Sequence, residues 1–121
     1  MIKSIPFNLY ESSFKTGSSV ICNPPVLDTD IDYMIYSDVM DKLVAHLVDT
    51  GWAKCDPEDY EENTRPFLAF RKDKYNFIVT NNLDYYDKFE EATRLATKLN
   101  LLKKEDRITL FSYVIEGNID A

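Results

Sequence analysis

Apolar residues fall into short runs along the chain, and their spacing switches between two and roughly 3.6 residues, which predicts strands mixed with helices. Ile31-Asp32-Tyr33-Met34-Ile35-Tyr36 alternates and reads as a strand with Ile31, Tyr33 and Ile35 turned inward. Val20-Ile21-Cys22 is a β-branched run that predicts a short strand, ended by Asn23-Pro24-Pro25 because proline cannot donate to a sheet ladder. Residues 9–16 predict a short helical turn before it, broken by Gly17-Ser18-Ser19. Phe67–Arg71 and Tyr75–Val79 are two further apolar runs. Only Lys72-Asp73-Lys74 separates them, so they predict an antiparallel hairpin. Trp52-Ala53-Lys54-Cys55 predicts one more short strand.

Helical spacing marks three segments. Met40, Leu43, Val44, Leu47 and Val48 recur at helical intervals over residues 38–50, with Ser37 or Asp38 as the cap and Gly51 as the stop. A second helix is predicted from Tyr85 to Leu99, with Phe89, Ala92, Leu95, Ala96 and Leu99 on its buried side. A third runs from Lys104 to Ile115 with Ile108, Phe111 and Ile115 inward. Residues 56–65 are acidic and polar and read as a loop, and the last residues are expected to fray. The order does not alternate regularly between strand and helix. It predicts an α/β (α+β) fold in which a small mixed sheet is covered by helices, as one domain over residues 1–121.

Composition narrows the options. The 121 residues are 45% hydrophobic and 29% charged, a globular balance, with eight Tyr and seven Phe to fill the core. The net charge of -7 does not attract a polyanion over the whole surface, so any nucleotide must be met locally by bound cations or a basic strip. Cys22 and Cys55 form no metal-type pair, no secretory signal opens the chain, and no apolar run reaches the roughly 20 residues that span a bilayer. These features predict a cytoplasmic protein with no membrane segment.

The chemistry-bearing stretch is Thr16-Gly17-Ser18-Ser19, a spacer, then Thr29-Asp30-Ile31-Asp32-Tyr33-Met34-Ile35. Asp30 and Asp32 are two apart on a strand, so both carboxylates leave the same face, about 6.6 Å apart along it. Such a pair can grip divalent cations, which in turn take substrate phosphates as further ligands. Gly17 lets the backbone come close to a phosphate, and the Ser18 hydroxyl can bond it. Gly-Ser alone is a common turn, and an Asp-x-Asp in an acidic chain is often a solvated edge. Asp28-Thr29-Asp30 is itself an Asp-x-Asp, so Asp28 is an alternative register, a loop residue or an accessory ligand.

Taken together, Gly17-Ser18 followed by Asp30-Ile31-Asp32 on a hydrophobic strand resembles the active-site signature of the polymerase-β-like nucleotidyltransferases. The stretch around Cys22-Asn23-Pro24-Pro25 and Thr29-Asp30-Ile31-Asp32 is also similar to small nucleotidyltransferase-like proteins of bacteriophages, which would place the chain in a host cytoplasm. The resemblance implies catalytic Asp30 and Asp32, nucleotide contacts from Gly17 and Ser18, and Mg²⁺ or Mn²⁺ as cofactor. It also implies an NTP as substrate and an acceptor hydroxyl on RNA, a protein or a small molecule. The family places a third carboxylate on a later strand, and the matching position in Tyr75-Asn76-Phe77-Ile78-Val79 is Asn76. Asn76 is therefore the expected third metal ligand, with an amide in place of a charge. Either the reduced set suffices, or Asp73 or Asp84 substitutes, or the domain is a degenerate module that binds a nucleotide or a host protein.

Other residues stand outside that motif. His46 falls on the polar side of the first helix. Arg71, Lys72 and Lys74 cluster at the hairpin, and Arg94, Lys98, Lys103, Lys104 and Arg107 follow on the later helices. They form either a solvated surface or the basic strip that a triphosphate or an RNA end requires. Tyr85 and Tyr86 could stack a base or pack the start of their helix.

Overall fold

A computed structural model describes residues 5–17, 21, 31–55, 67–101 and 103–116. Five strands form one sheet: β1 (Ser12–Thr16), β2 (Ile31–Tyr36), β3 (Ala53–Lys54), β4 (Leu68–Lys72) and β5 (Tyr75–Thr80). Their spatial order is β1-β2-β5-β4-β3. The central pair β2 and β5 is parallel and all other pairs are antiparallel, so the sheet is mixed as the sequence predicts. Helix α1 (Met40–Asp49) covers one face. Helix α2 (Leu83–Leu99) covers the other, with α3 (Lys104–Glu116) packed against α2.

The alternation of β2 and β5 divides the core in two. Ile35, Phe77 and Val79 turn toward α1 and meet Leu43, Leu47, Trp52 and Phe70. Leu43 and Leu47 are wholly buried, and each contributes about 1.5–3 kcal/mol of burial. Trp52 stacks on Phe77 with ring centres 4.0 Å apart. On the opposite face Met34 and Ile78 pack under Tyr85 and Tyr86. Phe89 of α2 meets Phe111 of α3 edge-on at 4.9 Å.

Strand β2 has the bounds that its alternation predicts, and the hairpin closes through the two residues Asp73-Lys74, since Lys72 pairs directly with Tyr75. Asp73 takes a φ of 56°, a left-handed conformation that Asp tolerates in tight turns. Gly51, with φ 93°, stops α1, and Trp52 N–H closes back on the Leu47 carbonyl at 2.9 Å. Asn100 ends α2 in the same way, with φ 51°. Asn82 caps α2 by accepting the Tyr85 N–H at 3.0 Å, so the helix starts at Leu83, two residues before the expected start at Tyr85.

Five expectations are corrected. Residues 9–16 hold no helical turn beyond the 3₁₀ segment Phe7–Leu9, because Ser12–Thr16 is an edge strand on β2 with Phe14 packed against Tyr86. Ile21 is helical rather than extended, donating its N–H to the Gly17 carbonyl at 2.9 Å, while Val20 and Cys22 lie outside the described residues. Neither Ser37 nor Asp38 caps α1. The buried Ser37 hydroxyl donates to the Leu9 carbonyl at 2.6 Å and accepts the Val39 N–H, tying the N-terminal segment to the end of β2. Helix α2 is rotated from the expected stripe: Leu95 and Leu99 are 37% and 60% exposed, and Tyr85, Tyr86, Ala92, Thr93 and Ala96 face inward. Ile108 of α3 is likewise exposed. The predicted loop at 56–65 and the C-terminal residues lie outside the described residues. No helix among the described residues is long and apolar enough to cross a membrane.

Candidate functional site

The register of the sheet places one polar row across its α2 face. Thr16 of β1 pairs with Asp32 of β2, Asp32 with Asn76 of β5, and Asn76 with Arg71 of β4. Paired residues share a face, and neighbouring strands are about 4.8 Å apart, so these four side chains stand side by side. Asn76 shares its face with Ile78 and is only 5% exposed, whereas Phe77 and Val79 turn to the α1 side. Asp32 is half-buried and Arg71 is exposed.

Gly17 closes the row at the β1 end. It has φ 81°, and a Cβ at this position would overlap Asp32 Oδ2 and lie 3.1 Å from Asp32 Cγ. Only glycine lets the backbone lie against that carboxylate, so Gly17 and Asp32 are matched in space as well as in the sequence motif. Ser18, Asp30 and Asp28 lie outside the described residues. The structure thus brings together Gly17, Asp32 and Asn76 from the expected site.

Thr16 and Thr93 are site neighbours that sequence reasoning missed. The two hydroxyl oxygens are 2.8 Å apart, buried between β1 and α2. Thr93 donates to the Phe89 carbonyl at 2.9 Å, so Thr16 donates to Thr93. The small residues Ala92, Thr93 and Ala96 on the buried side of α2 permit this close approach. The bond anchors the last residue of β1, and with it the Gly17 turn, beside Asp32. A Thr93→Val variant keeps the shape but strands a buried hydroxyl on Thr16, and is expected to lose about 1–3 kcal/mol in urea unfolding. A loss under about 0.5 kcal/mol would show that the pair carries no weight.

The alternative acids separate by position. Asp73 lies in the hairpin turn at the Asn76 end of β5. Asp84 lies beyond the opposite end of β5, in the first turn of α2, with Lys88 Nζ 3.3 Å from its carboxylate. Another acidic pair, Glu11 and Asp38, is at the far end of β2, where the hydrogen bond and charge of Asp38 raise the pKa of the exposed Glu11. His46 is on α1, across the sheet from the row. Tyr85 and Tyr86 are core residues, and burial pushes the Tyr86 phenol up against the opposing effect of a hydrogen bond with Ser12.

Among the described residues no three His, Cys, Asp or Glu side chains gather as a metal site. The donors present in the row are oxygens: the Asp32 carboxylate, with the Asn76 amide beside it. Oxygen donors are the kind that a hard cation such as Mg²⁺ takes. Comparisons of the chain with models of protein families, with curated proteins and with solved structures return no match.

Proposed function

We propose that the chain is a metal-dependent nucleotidyltransferase that moves a nucleoside monophosphate from an NTP to a hydroxyl on RNA, a protein or a small molecule. The observation that carries this reading is the Gly17–Asp32–Asn76 juxtaposition: Asp32 and Asn76 pair on adjacent strands, and Gly17, just past the end of β1, lies against the Asp32 carboxylate. Asp32, with Asp30, holds the cation, and Gly17 and Ser18 present backbone and hydroxyl to phosphate. Gly17 also fixes the Asp32 carboxylate, whose Oδ2 occupies the space over its Cα. Bound Mg²⁺ or Mn²⁺ supplies charge neutralisation for the attacking hydroxyl and the departing pyrophosphate. Asn76 contributes an amide oxygen and no charge.

The amide at residue 76 favours a second reading, in which the domain binds a nucleotide or a host protein without transferring a nucleotidyl group. The transferase and the nucleotide-binding module both predict that Mg²⁺ or Mn²⁺ with an NTP stabilises the fold. At a hundredfold excess over the dissociation constant the gain is about 2.7 kcal/mol, a rise of about 10 °C in melting temperature. No shift at millimolar metal and nucleotide rejects both. A transfer assay with labelled NTPs then separates them, since only the enzyme yields a labelled acceptor and pyrophosphate.

Asn76→Asp tests the third position. It sets a second carboxylate beside Asp32 in a nearly closed position. Like charges there are expected to destabilise the metal-free protein, and added cation is expected to more than restore it. Metal affinity unchanged from wild type would remove residue 76 from the ligand set and leave Asp73 as the acid to examine.

A further inference from the structure

The polar row does not stop at Asn76. Arg71 is its next member, one strand further from Asp32 and exposed where Asn76 is buried. We infer that Arg71 is a further phosphate-binding residue of this site, at the end of the row opposite Gly17, and that it selects a triphosphate over a monophosphate. The inference rests on the metal-site reading of Asp32 given above.

Three cations cluster at the β4–β5 hairpin, and the fold separates them. Lys72 alternates to the other face of β4, where its Nζ donates to the Thr50 carbonyl at 2.7 Å. Lys74 lies in the turn, and its carbonyl accepts the Ile31 N–H at 2.8 Å. Arg71 alone of the three shares the sheet face of Asp32 and Asn76. Its Cα is two strand spacings from that of Asp32, about 10 Å. A cation held at Asp32 and Asn76 therefore lies between the Gly17 turn on one side and a guanidinium on the other. A phosphate chain on that cation meets Arg71 one strand beyond Asn76.

Chemistry favours the same assignment. A guanidinium stays charged at all working pH values and grips two phosphate oxygens in a fixed fork. In a chain of net charge -7 a polyanion needs such a local counter-charge in addition to the metal. A monophosphate satisfies the cation alone. A triphosphate is long enough to engage both, so the guanidinium adds affinity only for the longer anion.

The test is isothermal titration of the full chain with Mg²⁺ alone, then with Mg²⁺ plus inorganic tripolyphosphate, an NTP or the matching NMP. In Arg71→Ala the affinity for tripolyphosphate and NTP is expected to fall at least tenfold. Affinities for NMP and for Mg²⁺ alone are expected to stay within twofold. Arg71→Lys, which keeps the charge but loses the fork, is expected to fall in between, and it provides the measurement if the alanine variant does not fold. Lys72→Ala is expected to bind all four ligands like wild type. Tripolyphosphate binding within twofold of wild type in both Arg71 variants overturns the inference while leaving the metal site in place. Wild-type protein that binds Mg²⁺ but holds the triphosphate no tighter than the monophosphate does the same. Wild-type protein that binds neither Mg²⁺ nor tripolyphosphate removes the metal-site reading and this inference with it.

Discussion

Asp32→Asn is expected to abolish nucleotidyl transfer while the fold stands. The substitution keeps the size and shape of a half-buried side chain beside Asn76 and Gly17, and deletes one negative charge. A hard cation bound through few protein ligands depends on each carboxylate. Losing this one is expected to lower the transfer rate by about three orders of magnitude or more, equivalent to about 4 kcal/mol of transition-state stabilisation. The melting temperature without ligand is expected to stay within about 5 °C of wild type, and the rise caused by metal and nucleotide to vanish. Asp30→Asn is expected to match it. Asp28→Asn is expected to retain activity, because the alternation of Ile31, Tyr33 and Ile35 in the sequence selects Asp30 and Asp32 as the pair. A folded Asp32→Asn protein with full transfer activity would show that the carboxylate does not hold the metal.

The parts of the fold legible in the sequence are those governed by local pattern. Strand β2 alternates over its whole length, and both of its faces are apolar except at Asp32, so its bounds and its register of faces could be read directly. The hairpin followed from its short connection, and α1 from a run of apolar residues ended by Gly51. Strand β1 was not legible: Ser12-Ser13-Phe14-Lys15-Thr16 has one large apolar residue, and its extended form depends on pairing with β2. In α2 two apolar stripes overlap. Periodicity shows that a helix forms, but the sheet selects the stripe carrying Ala92, Thr93 and Ala96, which leaves Leu95 and Leu99 outside.

The candidate site divides along the same line. Asp32 and Gly17 were visible as a motif. The Asp32–Asn76 pairing is set by the parallel match of β2 to β5, strands far apart in sequence, and no local rule supplies that register. The Asn76–Arg71 pairing was within reach, because a two-residue turn at Asp73-Lys74 pairs Lys72 with Tyr75 and hence Arg71 with Asn76. Thr93 gave no signal, since a threonine within an amphipathic helix ordinarily bonds its own backbone, as this one also does with the Phe89 carbonyl.

The closeness of Gly17 to Asp32 yields a prediction that needs no ligand and no assay of function. Gly17→Ala is expected to destabilise the protein by two separable effects. The left-handed φ of 81° costs a residue with a side chain about 1–2 kcal/mol. The new Cβ also overlaps Asp32 Oδ2, and moving a half-buried carboxylate aside costs about 1–3 kcal/mol more. The second effect depends on the carboxylate and the first does not. In an Asp32→Ala background, Oδ2 and Cγ are gone and only the Asp32 Cβ position remains nearby, 3.3 Å from the added atom. Gly17→Ala is then expected to cost little beyond its backbone strain. A double-mutant cycle followed by urea unfolding reads this as a coupling of about 1–3 kcal/mol between positions 17 and 32. Additive losses would place the carboxylate away from the glycine and dissolve the spatial half of the motif. A clear coupling, together with loss of metal-induced stabilisation in Gly17→Ala alone, would tie the turn to the cation through the carboxylate that it fixes.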